Sequence, residues 1–486
     1  MREKRTLFDY VYQHLREQIT SGRLKYGDKL PSLNNLSGFY HVGIRTVKDV
    51  LRALKREGYI YTEERKTATV IYRQTERDAD LLSVLSHRTA ILEAYQTIAM
   101  IMPAIFAFCS RFYSDAELSR LARNLALLSK KPPERQERDC AACLYDLLRR
   151  SGNLLFRDLY VSLEIRARAP YFRRQKGFAA LVLDHTRRHS LLWAADALPT
   201  RDESVILSRF QRALRSESDA AALYLEKLAM EYGRPIEDDL PLGEPADYLW
   251  IPDLGRDYYY NQIVRDLIDK IAVGYYPVGS YLPSEARLAQ EYNVCVSTVR
   301  KSLTLLNELG YGKTLNVKGT QVLLQDDQAA ARCMKNKTHR LDTLLYLSGL
   351  QLFTLTIGPA ALEAFGWLNG KARRELAEEI QQPEVIPLDR VTRRVIECQR
   401  LEPPRTILME TSRLLNWGYY FSFFPDGPAG AHWLREKSLS AIACLDRDDA
   451  WGFADGLRQC YCHILSFARE RMLEFGLWEA EKLISP

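Results

Sequence analysis

Apolar residues in the first 75 positions follow a helical spacing that glycine and proline break repeatedly, and a short alternating stretch closes the region. Leu7 to Ser21 carries Val11, Leu15 and Ile19 four residues apart, and Gly22 ends it as a helix C-terminal signal. Gly27 and Pro31 make a turn, and Ser32 is placed to cap a second helix containing Leu33 and Leu36. After a break at His41-Val42-Gly43, Ile44 to Glu57 predicts a third helix with Val47, Val50, Leu51 and Leu54 directed inward. Gly58 stops it, and Tyr59-Ile60-Tyr61 with Thr69-Val70-Ile71 reads as a β-hairpin.

The same pattern returns 252 residues later. Gly22, Gly27, Leu30-Pro31-Ser32, Thr46-Val47, Leu54 and Gly58-Tyr59 become Gly274, Gly279, Leu282-Pro283-Ser284, Thr298-Val299, Leu306 and Gly310-Tyr311 without a gap. Tyr260 to Val273, a helix capped by Ser284, and Ser297 to Leu309 repeat the three helices, and Asn316-Val317-Lys318-Gly319-Thr320 falls at the hairpin. Each region is followed by long stretches with apolar residues three and four apart, over 80–233 and 338–486. Pro235, Pro241, Gly243 and Pro245 stand among acidic residues and read as an exposed linker.

The expected architecture is therefore mainly α. Residues 1–75 form a winged helix-turn-helix head of three helices plus a β-hairpin wing, followed by an all-α effector-like bundle over 80–233. A linker over 234–255 leads to a second head at 256–326 and a second all-α bundle at 338–486.

A charged third helix beside a hairpin suits insertion into the DNA major groove, where Arg and Lys meet guanine edges or phosphates. Charge distribution sharpens this reading, because the whole-chain excess of +6 decides nothing. Residues 1–73 hold 15 basic against 8 acidic side chains, whereas residues 251–325 hold 8 against 7. In the first head the candidate DNA-binding residues are Ser32, Asn34, Arg45, Thr46, Lys48, Arg52 and Lys66. In the second they are Ser284, Glu285, Arg287, Ser297, Thr298, Arg300, Lys301, Lys318, Gly319 and Thr320. A glycine at the wing tip lets backbone approach a phosphate closely.

These motifs resemble the GntR family of bacterial regulators. Its pattern Leu-Pro-Ser-Glu-Arg-Glu-Leu-Ala is matched by Leu282-Pro283-Ser284-Glu285 with Leu288-Ala289, and by Leu30-Pro31-Ser32 with Leu36. Thr298-Val299-Arg300, Thr46-Val47-Lys48 and Lys318-Gly319-Thr320 match its later parts. Three family arginines that commonly touch DNA fall on Asn34 and Ala286, on Ile44 and Val296, and on Lys48 and Arg300. Only the last pair is basic in both heads, so the resemblance implies two diverged heads reading unequal half-sites. The first wing has Lys66-Thr67-Ala68 where the family has Gly-Thr.

The bundles resemble the all-helical effector domain of the FadR-type branch, through Ile91 to Leu127, Leu147 to Leu163 with Ser151-Gly152-Asn153, and Phe210 to Asp219. Weaker counterparts in the second copy are Ala361-Leu362-Glu363, Val395 to Leu408 and Ala441 to Asp448. This resemblance implies double-stranded DNA as partner, a small-molecule effector, and two-fold homodimers. Because one chain already holds two heads, an intramolecular pseudo-dimer is the expectation. The metal-ligand positions of that domain fall on Cys140, Leu144, Leu207 and Met230, so no metal or other cofactor is expected.

Other chemistries are weaker readings. Cys140-Ala-Ala-Cys143 and Cys460-Tyr-Cys462 lack the second ligand pair of a zinc finger, and His185 with His189 reads as a solvated basic helix. Trp417, Tyr419-Tyr420-Phe421 and Phe423-Phe424 line a pocket or, more simply, a core. No nucleophile, base and oxyanion constellation suggests an enzyme. The polar start and the apolar stretch Ile98 to Phe108, interrupted by Pro103, predict a cytoplasmic protein without membrane association. The rival reading is a ligand sensor or scaffold whose heads no longer read specific DNA.

Overall fold

The structure is a computed structural model. It describes the chain apart from residues 1–6, 21–22, 41, 64–65, 73–83, 132, 174, 176, 179–180, 182–189, 232–247, 253–258, 273–274, 317, 324–334, 336, 369, 381–384 and 416–426. Two compact units emerge: residues 1–254 with Gln399–Ile407, and Gly255–Cys398 with Leu408–Pro486.

Head 1 opens the first unit. Its helices are α1 (Leu7–Thr20), α2 (Leu33–Tyr40) and α3 (Ile44–Arg56), and its wing pairs β1 (Ile60–Tyr61) antiparallel with β2 (Thr69–Val70). Val11, Leu15, Ile19, Val47, Val50 and Leu54 are buried together, as their spacing predicts, with Leu51 half-buried at the edge. At roughly 1.5–3 kcal/mol per buried aliphatic side chain, this cluster is the main support of the small head.

The first helical domain comprises α4 (Arg88–Cys109), α5 (Asp115–Leu128), α6 (Pro133–Arg150), α7 (Phe156–Arg166), α8 (Ala169–Phe172), α9 (Leu191–Ala195) and α10 (Glu203–Glu231). Helices α4 and α10 pack along each other, with Phe106 and Phe210 rings 4.9 Å apart. Helix α4 continues through Pro103. Buried neighbours on both sides of the proline, Met102 and Ile105 among them, hold the helix against the lost hydrogen bond. Between α6 and α7, Asn153 accepts from the backbone N–H of Leu155 at 2.8 Å and of Phe156 at 3.2 Å, while Gly152 adopts φ 74°. The Ser-Gly-Asn motif is thus a helix-to-helix turn.

Part of the linker departs from its exposed reading. Tyr248 and Trp250 are buried: Trp250 Nε1 donates to Asp158 at 2.9 Å, and the Tyr248 and Ser162 hydroxyls lie 3.1 Å apart. Leu249 and Ile251 pack on the head 1 core. An apolar Tyr-Leu-Trp-Ile segment gains more from burial than from solvent. Pro235, Pro241, Gly243 and Pro245 lie outside the described residues. Glu402, grouped with this first unit, pairs with Arg166 at 3.5 Å.

The second unit repeats the plan. Head 2 contains α11 (Tyr259–Ala272), α12 (Glu285–Glu291), α13 (Val296–Glu308) and a wing of β3 (Gly312–Leu315) and β4 (Gly319–Val322). The helical domain contains α14 (Lys337–Phe365), α15 (Gly370–Glu379), α16 (Pro387–Glu397), α17 (Glu402–Leu415, whose first turns belong to the first unit), α18 (Gly427–Asp446) and α19 (Ala450–Glu474). Helix α19 packs against α14 and α18, and Gly456 permits the second contact, since a Cβ there would lie 2.6 Å from that of Ala441. One apolar cluster runs from Leu267, Val299 and Leu306 of head 2 into Phe353 and Leu457. Residues 88–112 and 339–365 are long and apolar enough to cross a bilayer, but most of each is buried within its own domain.

Candidate nucleic-acid interface

Backbone geometry repeats at the 252-residue offset. Gly27 and Gly279 both have φ 87°, and Gly58 and Gly310 have φ 79° and 85°, a region where a side chain is strained. The amides of Gly27 and Leu30 donate to Val70 and Ala68 at 2.8 Å, and those of Gly279 and Leu282 donate to Val322 and Thr320 at 2.9 Å. The turn and the wing are thereby held in the same register in both heads. Ser32 and Ser284 cap the second helix of each head as predicted, accepting from Asn35 N–H at 3.2 Å and Arg287 N–H at 3.3 Å.

In head 1 a groove of about 600 Å³ opens between α2, α3 and the wing. It brings together Ser32, Asn34, Lys48, Arg52 and Lys66 of the predicted set. Arg45 is exposed and Thr46 half-buried at the start of α3, and neither lines the groove. Lys55 does line it and was absent from the predicted set. Its signal was available: positions 48, 52 and 55 share one helix face at i, i+4 and i+7. Two local carboxylates temper the positive charge, with Arg52 2.8 Å from Asp49 and Lys66 2.5 Å from Glu63. Both pairs are largely exposed to solvent, so each holds its partner only weakly.

Head 2 presents a different surface. Helix α13 carries Arg300 and Lys301 against Glu308, whereas α3 carries Arg45, Lys48, Arg52, Lys55 and Arg56 against Asp49. Arg300 pairs with Glu285 of α12 at 2.7 Å, a position occupied by Leu33 in head 1. Arg287, Ser297 and Lys301 are exposed, and Thr298 is half-buried. Lys318 and Gly319 are exposed at the wing tip, where Gly319 has φ 95°. The Thr320 side chain is turned inward instead, only 4% exposed and 2.9 Å from the Thr314 hydroxyl.

Cys295 stands at the N-cap of α13, where head 1 has Gly43. Its thiol lies 3.1 Å from the Ser297 hydroxyl and 3.0 Å from that of Thr298, and these contacts bring its pKa down to about 7. Cys140, Cys143, Cys460 and Cys462 form no disulfide, and Cys140 and Cys460 are buried. Cys140 and Leu144 are core residues of α6, and Met230 is exposed at 70%. Among the described residues no group of three or more His, Cys, Asp or Glu side chains assembles as metal ligands. His185, His189 and the aromatic residues of 417–424 lie outside the described residues.

Comparison with known proteins converges on the heads. Residues 7–70 and 259–322, again 252 apart, both match the bacterial regulatory proteins of the gntR family. The chain is 26% identical over 132 residues to the HTH-type transcriptional repressor NanR of Edwardsiella tarda (strain FL6-60), covering 26% of this chain and 51% of that protein. It is 24% identical over 170 residues to NanR of Citrobacter rodentium (strain ICC168), covering 33% of this chain and 64% of that protein. The match thus spans between half and two thirds of these relatives. Among solved structures, Streptococcus agalactiae GntR aligns at 17% identity over 43% of this chain and 99% of its own, with a TM-score of 0.20. E. coli McbR/YncC aligns at 16% over 44% and 99%, with a TM-score of 0.23.

Proposed function

From the premise that this chain carries two GntR-family heads, we propose that it is a transcriptional regulator that grips double-stranded DNA with head 1 and adds head 2 at a second, unequal half-site. The observation that carries this reading is the head 1 groove, where Lys48, Arg52, Lys55 and Lys66 converge beside the recognition helix and wing. Convergent cations on such a surface suit phosphate neutralisation, which supplies most non-specific affinity. The sequence-reading contacts fall to Asn34 and Lys48 in head 1 and to Arg300 and Lys318 in head 2.

The constant 252-residue offset supports an intramolecular pseudo-dimer. Covalent linkage holds the second head near its half-site at an effective concentration on the order of millimolar, so a weakened head still adds affinity. The helical domains would then sense a small ligand or mediate association. Selection of bound fragments from genomic DNA with the purified protein tests the reading. Recovery of a two-part motif, weakened by Lys48→Ala and by Arg300→Ala, is the expected result. Weak binding equal for all sequences would favour heads that have lost readout. Sedimentation of the free chain as a monomer fits the pseudo-dimer, and an obligate dimer contradicts it.

A further inference from the structure

Charged side chains rarely occupy a protein interior unless they are paired. Among the described residues of the first helical domain three of them do. Glu164 of α7 is fully buried, Arg173 just after α8 is 7% exposed, and Glu217 of α10 is 4% exposed. Arg173 donates from Nη1 to Glu164 at 2.5 Å, and from Nε and Nη2 to Glu217 at 3.3 and 3.2 Å. One guanidinium thus serves two carboxylates. Burial pushes the Glu217 carboxyl up and Arg173 draws it down, while Glu164 raises it again.

The cluster does not end inside the domain. Tyr145 of α6 donates its hydroxyl to the other oxygen of Glu164. Arg23, in the head 1 turn after α1, donates to the Tyr145 hydroxyl at 3.0 Å and lies 5.2 Å from the ring centre. Five side chains therefore run unbroken from the head to α10. Tyr160, ring-packed 5.6 Å from Tyr145, places a buried hydroxyl without a hydrogen-bond partner in the field of Glu164 and Arg173. Tyr95 of α4 faces Arg173 as well. The groups facing Glu217 are thus Arg173, Glu164 and Tyr160, while Tyr145 faces Glu164 and Tyr95 faces Arg173.

We propose that Arg23, Tyr145, Glu164, Arg173 and Glu217 form a polar relay through which the charge at Glu217 sets how firmly head 1 is held on its helical domain. The proposal rests on the regulator reading for its consequence at DNA, but the relay is testable without it. When Glu217 is ionised it shares Arg173 and leaves Glu164 with uncompensated negative charge, which strengthens the Tyr145 bond and attracts Arg23. When Glu217 is neutral, Arg173 turns wholly to Glu164, and the hold on Tyr145 and Arg23 weakens. What switches it is a proton on Glu217, which removes the charge that competes for Arg173.

The test is a double-mutant cycle with Glu217→Gln and Tyr145→Phe, both close to isosteric, in the full chain at neutral pH. Amide hydrogen exchange of residues 23–30 is followed, with thermal melting to confirm that each variant folds. Each substitution is expected to speed exchange about fivefold or more, the lower range of an allosteric coupling, and the double variant no further. DNA affinity in an Arg300→Ala background, where head 1 makes the contacts, is expected to fall in the same proportion. Additive effects on exchange, or unchanged exchange in either variant, would overturn the relay. Absence of DNA binding by the unmodified chain would count against the regulator reading alone, because exchange still decides the relay.

Discussion

Equivalent positions in the two heads hold the same contact with opposite chemistry. In head 1, His14 Nδ1 lies 2.8 Å from the Tyr40 hydroxyl, and Gln18 Nε2 lies 3.3 Å from the same nitrogen. In head 2, 252 residues on, the trio is Asp266, Tyr292 and Lys270. Tyr292 donates to Asp266, and Lys270 pairs with Asp266 at 2.8 Å and with Glu291 at 2.9 Å. A neutral cluster in one head is an ionic one in the other, yet both join the first helix to the second. Packing and the left-handed glycines fix the backbone, and any locally balanced set of polar partners satisfies it. The outward faces obey no such constraint. There the basic third helix of head 1 and the sparser one of head 2 differ, and the wings with them.

The largest effect should come from exchanging one member of the trio without its partner. His14→Asp places a carboxylate beside Tyr40 with Gln18 in place of a lysine, at a cost of about 3 kcal/mol. In a unit of this size that lowers the transition temperature by roughly 6–12 °C in calorimetry. Adding Gln18→Lys should recover most of the loss. An equal loss with and without that second change would show that the two trios are not interchangeable.

A smaller effect is set by pH. Burial, and then the Arg23 charge, hold the His14 pKa down to about 4. The imidazole is therefore neutral in the fold, while the unfolded chain takes a proton near pH 6.5. Its contribution is complete above pH 6.5 and is lost as pH falls toward 4, at up to ~1.4 kcal/mol per pH unit. Denaturant titrations of the first unit should show this slope in the unmodified chain and a shallower one in His14→Gln. The equivalent position in head 2 carries no histidine.

The smallest effect concerns Arg300. Removing its exposed partner by Glu285→Leu, which imports the Leu33 of head 1, should tighten DNA binding by no more than about fivefold, the range of a surface ion pair. Weaker binding would mean that Glu285 orients Arg300 for the duplex.

Much of the heads was legible in the sequence because their constraints are local. Gly27, Gly58, Gly279 and Gly310 stand where φ is positive, Ser32 and Ser284 where a cap is needed, and the apolar spacing names the buried residues. Features joining distant segments were not legible. Glu164 and Glu217 sit on amphipathic helices, where a carboxylate ordinarily faces water, and their common partner lies 9 and 44 residues away. The Tyr248-to-Ile251 segment was hidden by its acidic, proline-rich neighbours. In the candidate interface, Thr320 was misplaced because strand alternation at the wing tip decides which side chain turns inward.

The inequality of the heads is tested most directly by salt titration of binding to a selected DNA fragment. Removing Lys48, Arg52 and Lys55 together should reduce the slope of log affinity against log salt by ~2.7, about 0.9 for each lost phosphate contact. Removing Arg300 and Lys301 should reduce it by no more than ~1.8. Equal losses from the two heads, or a larger loss from the second, would contradict the assignment of the main DNA grip to head 1.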